Sequence, residues 1–174
     1  MIEKYMPDVY QKSIYYINYD KLYKKGIRCI LFDLDNTISP PHVNKATKRL
    51  KKLFDELKDK GFKIIIFSNS PKTRLKPFKK ELEVDCCASA RKPSAKKFNL
   101  VMNLYHYECS EIAIIGESII DDISGGNKVG ITTILVNQIG KREFPIAFLK
   151  RINERHILKK LRMAGLFTKG RYYD

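Results

Sequence analysis

Short apolar runs alternate with amphipathic stretches over most of this chain, and the two periods separate strands from helices. Residues 27–32 (IRCILF) predict a buried strand that ends in acidic residues. Ala46, Leu50, Leu53, Phe54 and Leu57 recur at helical spacing, with Gly61 as a natural stop. Residues 62–67 (FKIIIF) predict a second strand, 73–82 a second helix and 84–88 a short third strand. Ser94 is placed to cap a helix through Phe98, Val101, Met102 and Tyr105. Residues 112–115 (IAII) predict a fourth strand, about 119–128 a helix, and 131–136 (ITTILV) a fifth strand. Apolar strands separated by helices predict a single α/β domain over 1–174, with a mainly parallel sheet covered by helices on both faces. No internal repeat or low-complexity linker interrupts it.

Two flanks lie outside this pattern. Residues 1–26 carry Tyr5, Tyr10, Tyr15, Tyr16, Tyr19 and Tyr23 among polar residues and read as an N-terminal extension. Residues 141–174 carry ten basic and three acidic residues, a surplus of seven positive charges. Phe148, Leu149, Ile152, Leu158, Leu161 and Leu166 in that tail predict a basic amphipathic helix after Pro145. Such a helix either rests on an anionic membrane surface or packs its apolar stripe on the domain with its lysines in water.

Composition narrows the setting. At 174 residues and 44% hydrophobic content, the chain can bury one substantial core. It holds no apolar run near the roughly 18–20 residues that cross a bilayer. The start, Met1-Ile2-Glu3-Lys4-Tyr5, lacks the apolar stretch of a secretory signal. Cys29, Cys86, Cys87 and Cys109 lack zinc-site spacing and predict reduced, partly buried thiols of a cytoplasmic protein. The 34 Lys and Arg against 19 Asp and Glu leave a net charge of +15. That charge suits polyanionic or phosphorylated partners, or reflects a generally lysine-rich surface. No nucleic-acid motif accompanies it.

The candidate chemistry begins at Asp33-Leu34-Asp35-Asn36-Thr37, where the first predicted strand ends. Ligands of open parallel sheets bind outside the carboxyl ends of the strands. Two carboxylates one residue apart can share a hard cation such as Mg²⁺, and an ionised Asp can attack phosphorus while its neighbour moves protons. Ser68-Asn69 follows the second strand, with a hydroxyl and backbone amides for phosphate oxygens. Lys92 stands before a helix N-terminus, where an anion is favoured. Gly116-Glu117-Ser118 and Asp121-Asp122 follow the fourth strand and can complete a metal shell. The 32 residues between Asp35 and Ser68 (36–67) are filled by a loop, a helix and a strand. The 23 between Ser68 and Lys92 (69–91) hold a helix and a short strand. Neither gap leaves room for a large cap domain, and an open site suits a phosphate displayed on a lipid surface, a protein or a nucleic acid.

This order of acid pair, Ser, Lys and acid cluster resembles the motifs of the haloacid dehalogenase (HAD) superfamily of phosphatases. Pro7-Asp8-Val9-Tyr10, Ser13-Ile14, Asp33 to Thr37, Ser68-Asn69-Ser70, Ala90-Arg91-Lys92-Pro93 and Gly125-Gly126-Asn127 together resemble the YqeG-type family of subfamily IIIA. The resemblance runs from about Pro7 to Leu166. It implies a Rossmann-like HAD core with Asp33 as nucleophile and metal ligand. Asp35 is then the general acid/base, giving the metal its backbone carbonyl. Ser68 and Lys92 hold the phosphoryl group, with Asn36, Thr37 and Asn69 on the substrate side. Glu117 and Asp122 serve Mg²⁺. The family is similar to phosphatases that convert phosphatidylglycerophosphate to phosphatidylglycerol, which implies peripheral contact with the inner face of a membrane.

One run departs from the family, which has Gly-Asp-Gln and Thr-Asp where this chain has Gly116-Glu117-Ser118 and Asp121-Asp122. Glu117 is one methylene longer than the expected aspartate, and Mg²⁺ demands near-octahedral geometry. Two other readings therefore stand beside the lipid phosphatase. One is a phosphatase of soluble sugar, nucleotide or protein phosphates, and the other is a catalytically weakened binding module. Oligomeric state is left open.

Overall fold

Six parallel strands carry the fold in a computed structural model that describes residues 2–140 and 146–174. They are β1 (Val9–Gln11), β2 (Cys29–Phe32), β3 (Lys63–Phe67), β4 (Asp85–Cys87), β5 (Ile112–Gly116) and β6 (Thr132–Val136). Their order is β1-β6-β5-β2-β3-β4, and every pairing is parallel. The helices are α1 (Tyr19–Lys24), α2 (Lys48–Asp59), α3 (Lys72–Leu82), α4 (Ala95–Tyr105), α5 (Ser124–Val129) and α6 (Ile146–Met163). The chain builds outward from β2 through β3 and β4, then returns to the other side of β2 with β5 and β6. That reversal between β2 and β5 opens a crevice at the carboxyl ends of the strands.

Strand alternation divides the interior between two faces, because successive side chains point to opposite sides of a sheet. Ile30, Phe32, Ile64 and Ile66 join Leu50 and Phe54 of α2 and Leu75 and Phe78 of α3 in one core. Cys29, Leu31, Ile65 and Phe67 face the other way, onto Phe98 and Val101 of α4. Gly126 lets α5 lie close to the sheet, since a Cβ there would come within 2.6 Å of Thr133 Cγ2 and 2.7 Å of Ile114 Cγ2. The predicted Ser94 cap forms, accepting from Lys96 N–H, and Thr47 caps α2 by accepting from Leu50 N–H.

The structure differs from the sequence reading at both flanks. Residues taken to lie outside the pattern supply β1, which pairs with β6 in register Val9 to Ile134. Three residues, Val-Tyr-Gln, carry too little apolar pattern to announce a strand, and the tertiary environment makes one by burying Tyr10. Beyond β1, α1 forms on an Asn18 cap whose side chain accepts from Lys21 N–H. The predicted helix over about 119–128 divides into a π-helical turn, Ile119–Ile123, followed by α5.

At the other end α6 forms, and the C-terminal part of its apolar stripe packs on the domain, while Ile152 of the predicted stripe is exposed. Ile157, Leu161 and Phe167 are buried with Tyr10, Ile119, Ile123 and Leu135, and Leu158 and Leu166 pack against them. Residues 141–145 of the predicted tail, and the side chains of Phe148 and Leu149, lie outside the described residues. The chain then closes the sheet edge, where Tyr173 exchanges backbone hydrogen bonds with Tyr10 in an antiparallel bridge. Covering an edge strand in this way removes a surface prone to aberrant pairing. The cysteines are free thiols, and burial pushes the Cys29 thiol up to about 12. Leu161→Ala should lower unfolding free energy by about 2–5 kcal/mol, measured by denaturant titration. A loss below about 1 kcal/mol would show that α6 adds little to the core.

Candidate active site

Three separate chain segments deliver side chains to the crevice between β2 and β5, and β3 adds a backbone carbonyl. Asp33 directly follows β2, and its N–H donates to the Ile115 carbonyl at 2.9 Å, so the ladder with β5 continues through it. Lys92 comes from the connection between β4 and α4, and Asp122 from the π-helical turn after β5. The Lys92 ammonium donates to Asp33 Oδ1 at 2.7 Å, to Asp122 Oδ1 at 2.6 Å and to the Phe67 carbonyl at 3.0 Å. An ammonium has three N–H donors, and all three are engaged.

Burial sets the energetics. The Lys92 side chain is 2% exposed and that of Asp122 1%. An unpaired charge at such depth is prohibitively costly, and removing one partner from a buried pair costs roughly 3–5 kcal/mol. Burial alone would depress the Lys92 ammonium, but Asp122 and Asp33 outweigh it and hold Lys92 above its ordinary range. Burial pushes the Asp122 carboxyl up, with Lys92 pulling it back and Asp33 pushing it further up. Counted as ions, two carboxylates against one ammonium leave a formal negative excess in the pocket.

The remaining oxygens are held as firmly. The Thr37 hydroxyl donates to Asp33 Oδ2 at 2.8 Å and accepts from Glu117 N–H at 3.1 Å. Ser118 N–H donates to Asp122 Oδ2 at 3.1 Å. Asn69 grips the Lys92 backbone, accepting its N–H at 2.7 Å and donating to its carbonyl at 3.3 Å. Ser68 is buried, and its hydroxyl accepts from Ser70 N–H at 3.1 Å. Asn36 takes a left-handed conformation at φ 64° and its buried Oδ1 has no hydrogen-bond partner. Asp35 turns to a second group: its Oδ2 accepts from the Ser70 hydroxyl and its Oδ1 from Arg74 Nε at 3.0 Å.

The structure thus brings Asp33, Thr37, Lys92 and Asp122 into one cluster, with Ser68 and Asn69 braced beside it. Glu117 reaches this cluster through its main chain. The residue also lines a small pocket with Tyr10, Asn137 and Lys169. Sequence reasoning gave no role to Ser70, although Ser70 closes the Ser68-Asn69-Ser70 motif, and it missed Arg74, which no local signal marks. It also missed why position 116 is glycine. A Cβ there would lie 2.1 Å from Asp122 Oδ2 and 2.2 Å from its Cγ, so only glycine lets Asp122 fold back under the strand.

The donor set suits a hard divalent cation. It is all oxygen, it carries a negative excess, and Mg²⁺ favours such sites over nitrogen or sulfur ones. Asp33 and the Asp35 carbonyl are the groups nearest to holding one, with Asp122 and Glu117 the acidic residues expected to serve it directly or through water. Among the described residues no three acidic side chains converge on a single point. Gly116→Ala should displace Asp122 and lower phosphate release at least about tenfold through loss of active-site geometry. Activity assays together with a thermal melt check this, and full activity would show that Asp122 has room to move.

The comparisons with known proteins agree with this geometry. A family model described as mitochondrial PGP phosphatase matches residues 2–140. A Bacillus subtilis (strain 168) protein named "Probable phosphatase YqeG" is 34% identical over 166 residues, covering 95% of this chain and 96% of that one. Phosphatidylglycerophosphate phosphatase 1, chloroplastic/mitochondrial, of Arabidopsis thaliana is 26% identical over 92% of this chain. The chain spans 49% of that plant protein. Among solved structures, the cobalt-bound deoxy-D-mannose-octulosonate 8-phosphate phosphatase of Haemophilus influenzae superposes with a TM-score of 0.55 at 15% identity, covering 80% of this chain and 90% of that one. The 3-deoxy-D-manno-octulosonate 8-phosphate phosphatase of Moraxella catarrhalis, in complex with magnesium, phosphate and KDO, gives 0.53 at 16% identity, covering 70% and 75%. These two likenesses establish the fold, an α/β Rossmann-like HAD core. With its fold, its family match and its YqeG relative in agreement, the chain belongs to the PGP phosphatase family and is a phosphatase of the HAD type.

Proposed function

We propose that this protein is a Mg²⁺-dependent phosphomonoester hydrolase that works through an aspartyl-phosphate on Asp33 and converts phosphatidylglycerophosphate to phosphatidylglycerol. The observation that carries the reading is the buried Asp33–Lys92–Asp122 cluster at the sheet's reversal point, in a chain of the PGP phosphatase family.

In this mechanism Asp33 attacks phosphorus in line with the departing oxygen. Lys92 holds Asp33 as an oriented anion and lies beside the phosphoryl group once that group is on Asp33. Asp35 gives a proton to the leaving alkoxide, then takes one from the water that hydrolyses the acyl-phosphate. Ser68, with the Asn69-braced backbone around it, borders the phosphoryl oxygens. Asp33 and the Asp35 carbonyl would hold Mg²⁺, with Asp122 and Glu117 serving it directly or through water, and the ion would supply positive charge against those oxygens. Thr37 fixes the second oxygen of Asp33 and ties it to the Glu117 backbone.

Three features support a lipid substrate over a small soluble one. The Arabidopsis relative is named for phosphatidylglycerophosphate. The two stretches that could hold a cap domain are filled by α2, β3, α3 and β4, which leaves the site open to a headgroup at a bilayer. The net charge of +15 favours an anionic surface, and on this reading the protein works peripherally on the cytoplasmic face of a membrane.

Asp33→Asn should reduce Mg²⁺-dependent phosphate release by at least about 10³-fold while circular dichroism stays unchanged. Near-normal turnover in that variant would remove Asp33 as nucleophile. Turnover should be highest on vesicles containing phosphatidylglycerophosphate, compared with nucleotides, sugar phosphates and a phosphopeptide, and EDTA should abolish it. Preference for a soluble ester would overturn the lipid assignment, and absence of hydrolysis on every ester would favour a binding module.

A further inference from the structure

The guanidinium of Arg74, in the first turn of α3, is committed to one carboxylate and one loop. Its Nε donates to Asp35 Oδ1 at 3.0 Å and its Nη2 lies 2.9 Å from the same oxygen. Nη1 donates to the Val43 carbonyl at 2.8 Å and to Asn44 Oδ1 at 2.9 Å, and Nη2 to the Pro40 carbonyl at 3.1 Å. The planar group is seated 5.0 Å from the ring centroid of Phe78, which is fully buried. Ser70, at the start of the same connection, donates its hydroxyl to the other oxygen, Asp35 Oδ2.

Both oxygens of Asp35 are therefore held by donors that follow β3, while Asp35 itself follows β2. A free aspartate rotates about two side-chain bonds. Here the fork of Arg74 and the Ser70 hydroxyl leave one orientation, and the side chain keeps contact with solvent at 25% exposure. A lysine could place a charge near Oδ1, but a point ammonium lacks the planar fork that also reaches Pro40 and Val43.

We infer that Arg74 is a positioning residue of the phosphatase reaction: it fixes the direction in which Asp35 exchanges protons, and it governs turnover more than folding. The inference rests on Asp35 being the acid/base group. Misplacing such a group by about 1 Å can cost on the order of 100-fold in rate.

The test uses the full chain with Mg²⁺ and the soluble ester p-nitrophenyl phosphate, comparing Arg74→Ala, Arg74→Lys, Asn44→Ala, Asp35→Ala and the Asp35→Ala/Arg74→Ala pair. Arg74→Ala should lower kcat roughly 10–100-fold with KM within about twofold, and Arg74→Lys should recover part of the loss. Asn44→Ala removes a loop contact of the same guanidinium and should keep kcat within about twofold. The double variant should be no slower than Asp35→Ala, because Arg74 acts through Asp35. Wild-type turnover in Arg74→Ala, or an equal loss in Asn44→Ala, would overturn the inference. So would a further loss of about tenfold in the double variant relative to Asp35→Ala. Full activity in Asp35→Ala would instead remove the acid/base assignment on which the inference stands. Should Asp35→Ala fall below detection, the contrast between Arg74→Ala and Asn44→Ala decides.

Discussion

One ammonium, buried between two carboxylates and a backbone carbonyl, dictates the arrangement of everything around it. Lys92 sits where an unpaired charge could not survive, so Asp33, Asp122 and the Phe67 carbonyl must all meet it within hydrogen-bond distance. Those three partners come from β2, the turn after β5, and β3. Holding them together ties the carboxyl ends of three neighbouring strands, and the same contact that stabilises the fold orients the Asp33 carboxylate. The arrangement leaves a formal negative excess, which a divalent cation would offset, so the electrostatics of the cluster and the demands of phosphoryl chemistry point the same way.

Such a cluster works only if its members arrive pre-set. Asn69 clamps the backbone of Lys92 on both sides of the residue. Gly116 clears the space into which Asp122 folds, and the Ser118 N–H takes the oxygen that Lys92 does not. Thr37 closes the ring by binding Asp33 and the Glu117 backbone together. Around Asp35 a second group does the same with different chemistry: a planar guanidinium seated on Phe78 and a single hydroxyl. The two groups differ in exposure, Lys92 sealed and Asp35 partly wet. That difference fits a fixed anion in one place and a group that trades protons with solvent in the other.

Much of this was legible in the chain itself. Apolar runs of four to six residues marked β2, β3, β5 and β6 because strands buried on both faces need no polar alternation. The acidic pair stood out because it follows such a run directly, and Lys92 because it precedes a capped helix. Other elements left no trace. β1 is three residues long and exists because Tyr10 finds a buried place beside Leu135 and Phe167. Arg74 is one of five basic residues on α3, with Lys72, Lys76, Lys79 and Lys80, and nothing local separates it from side chains that point into water. Glu117 was expected at the site through its carboxylate, and the structure adds a main-chain tie that no local pattern announces, its N–H donating to the Thr37 hydroxyl.

What the amino-acid order determined alone was therefore local: which segments alternate, where carboxylates follow strands, and which residues can cap helices. Hydrophobic period and capping act over a few neighbouring residues, so they are written in short windows of sequence. Which charge meets which was decided by tertiary structure. Lys92 lies 59 positions from Asp33 and 30 from Asp122, and Arg74 lies 39 from Asp35. Coulombic pairing depends on distance in space, and only the order of strands in the folded sheet converts those separations into contacts of about 3 Å.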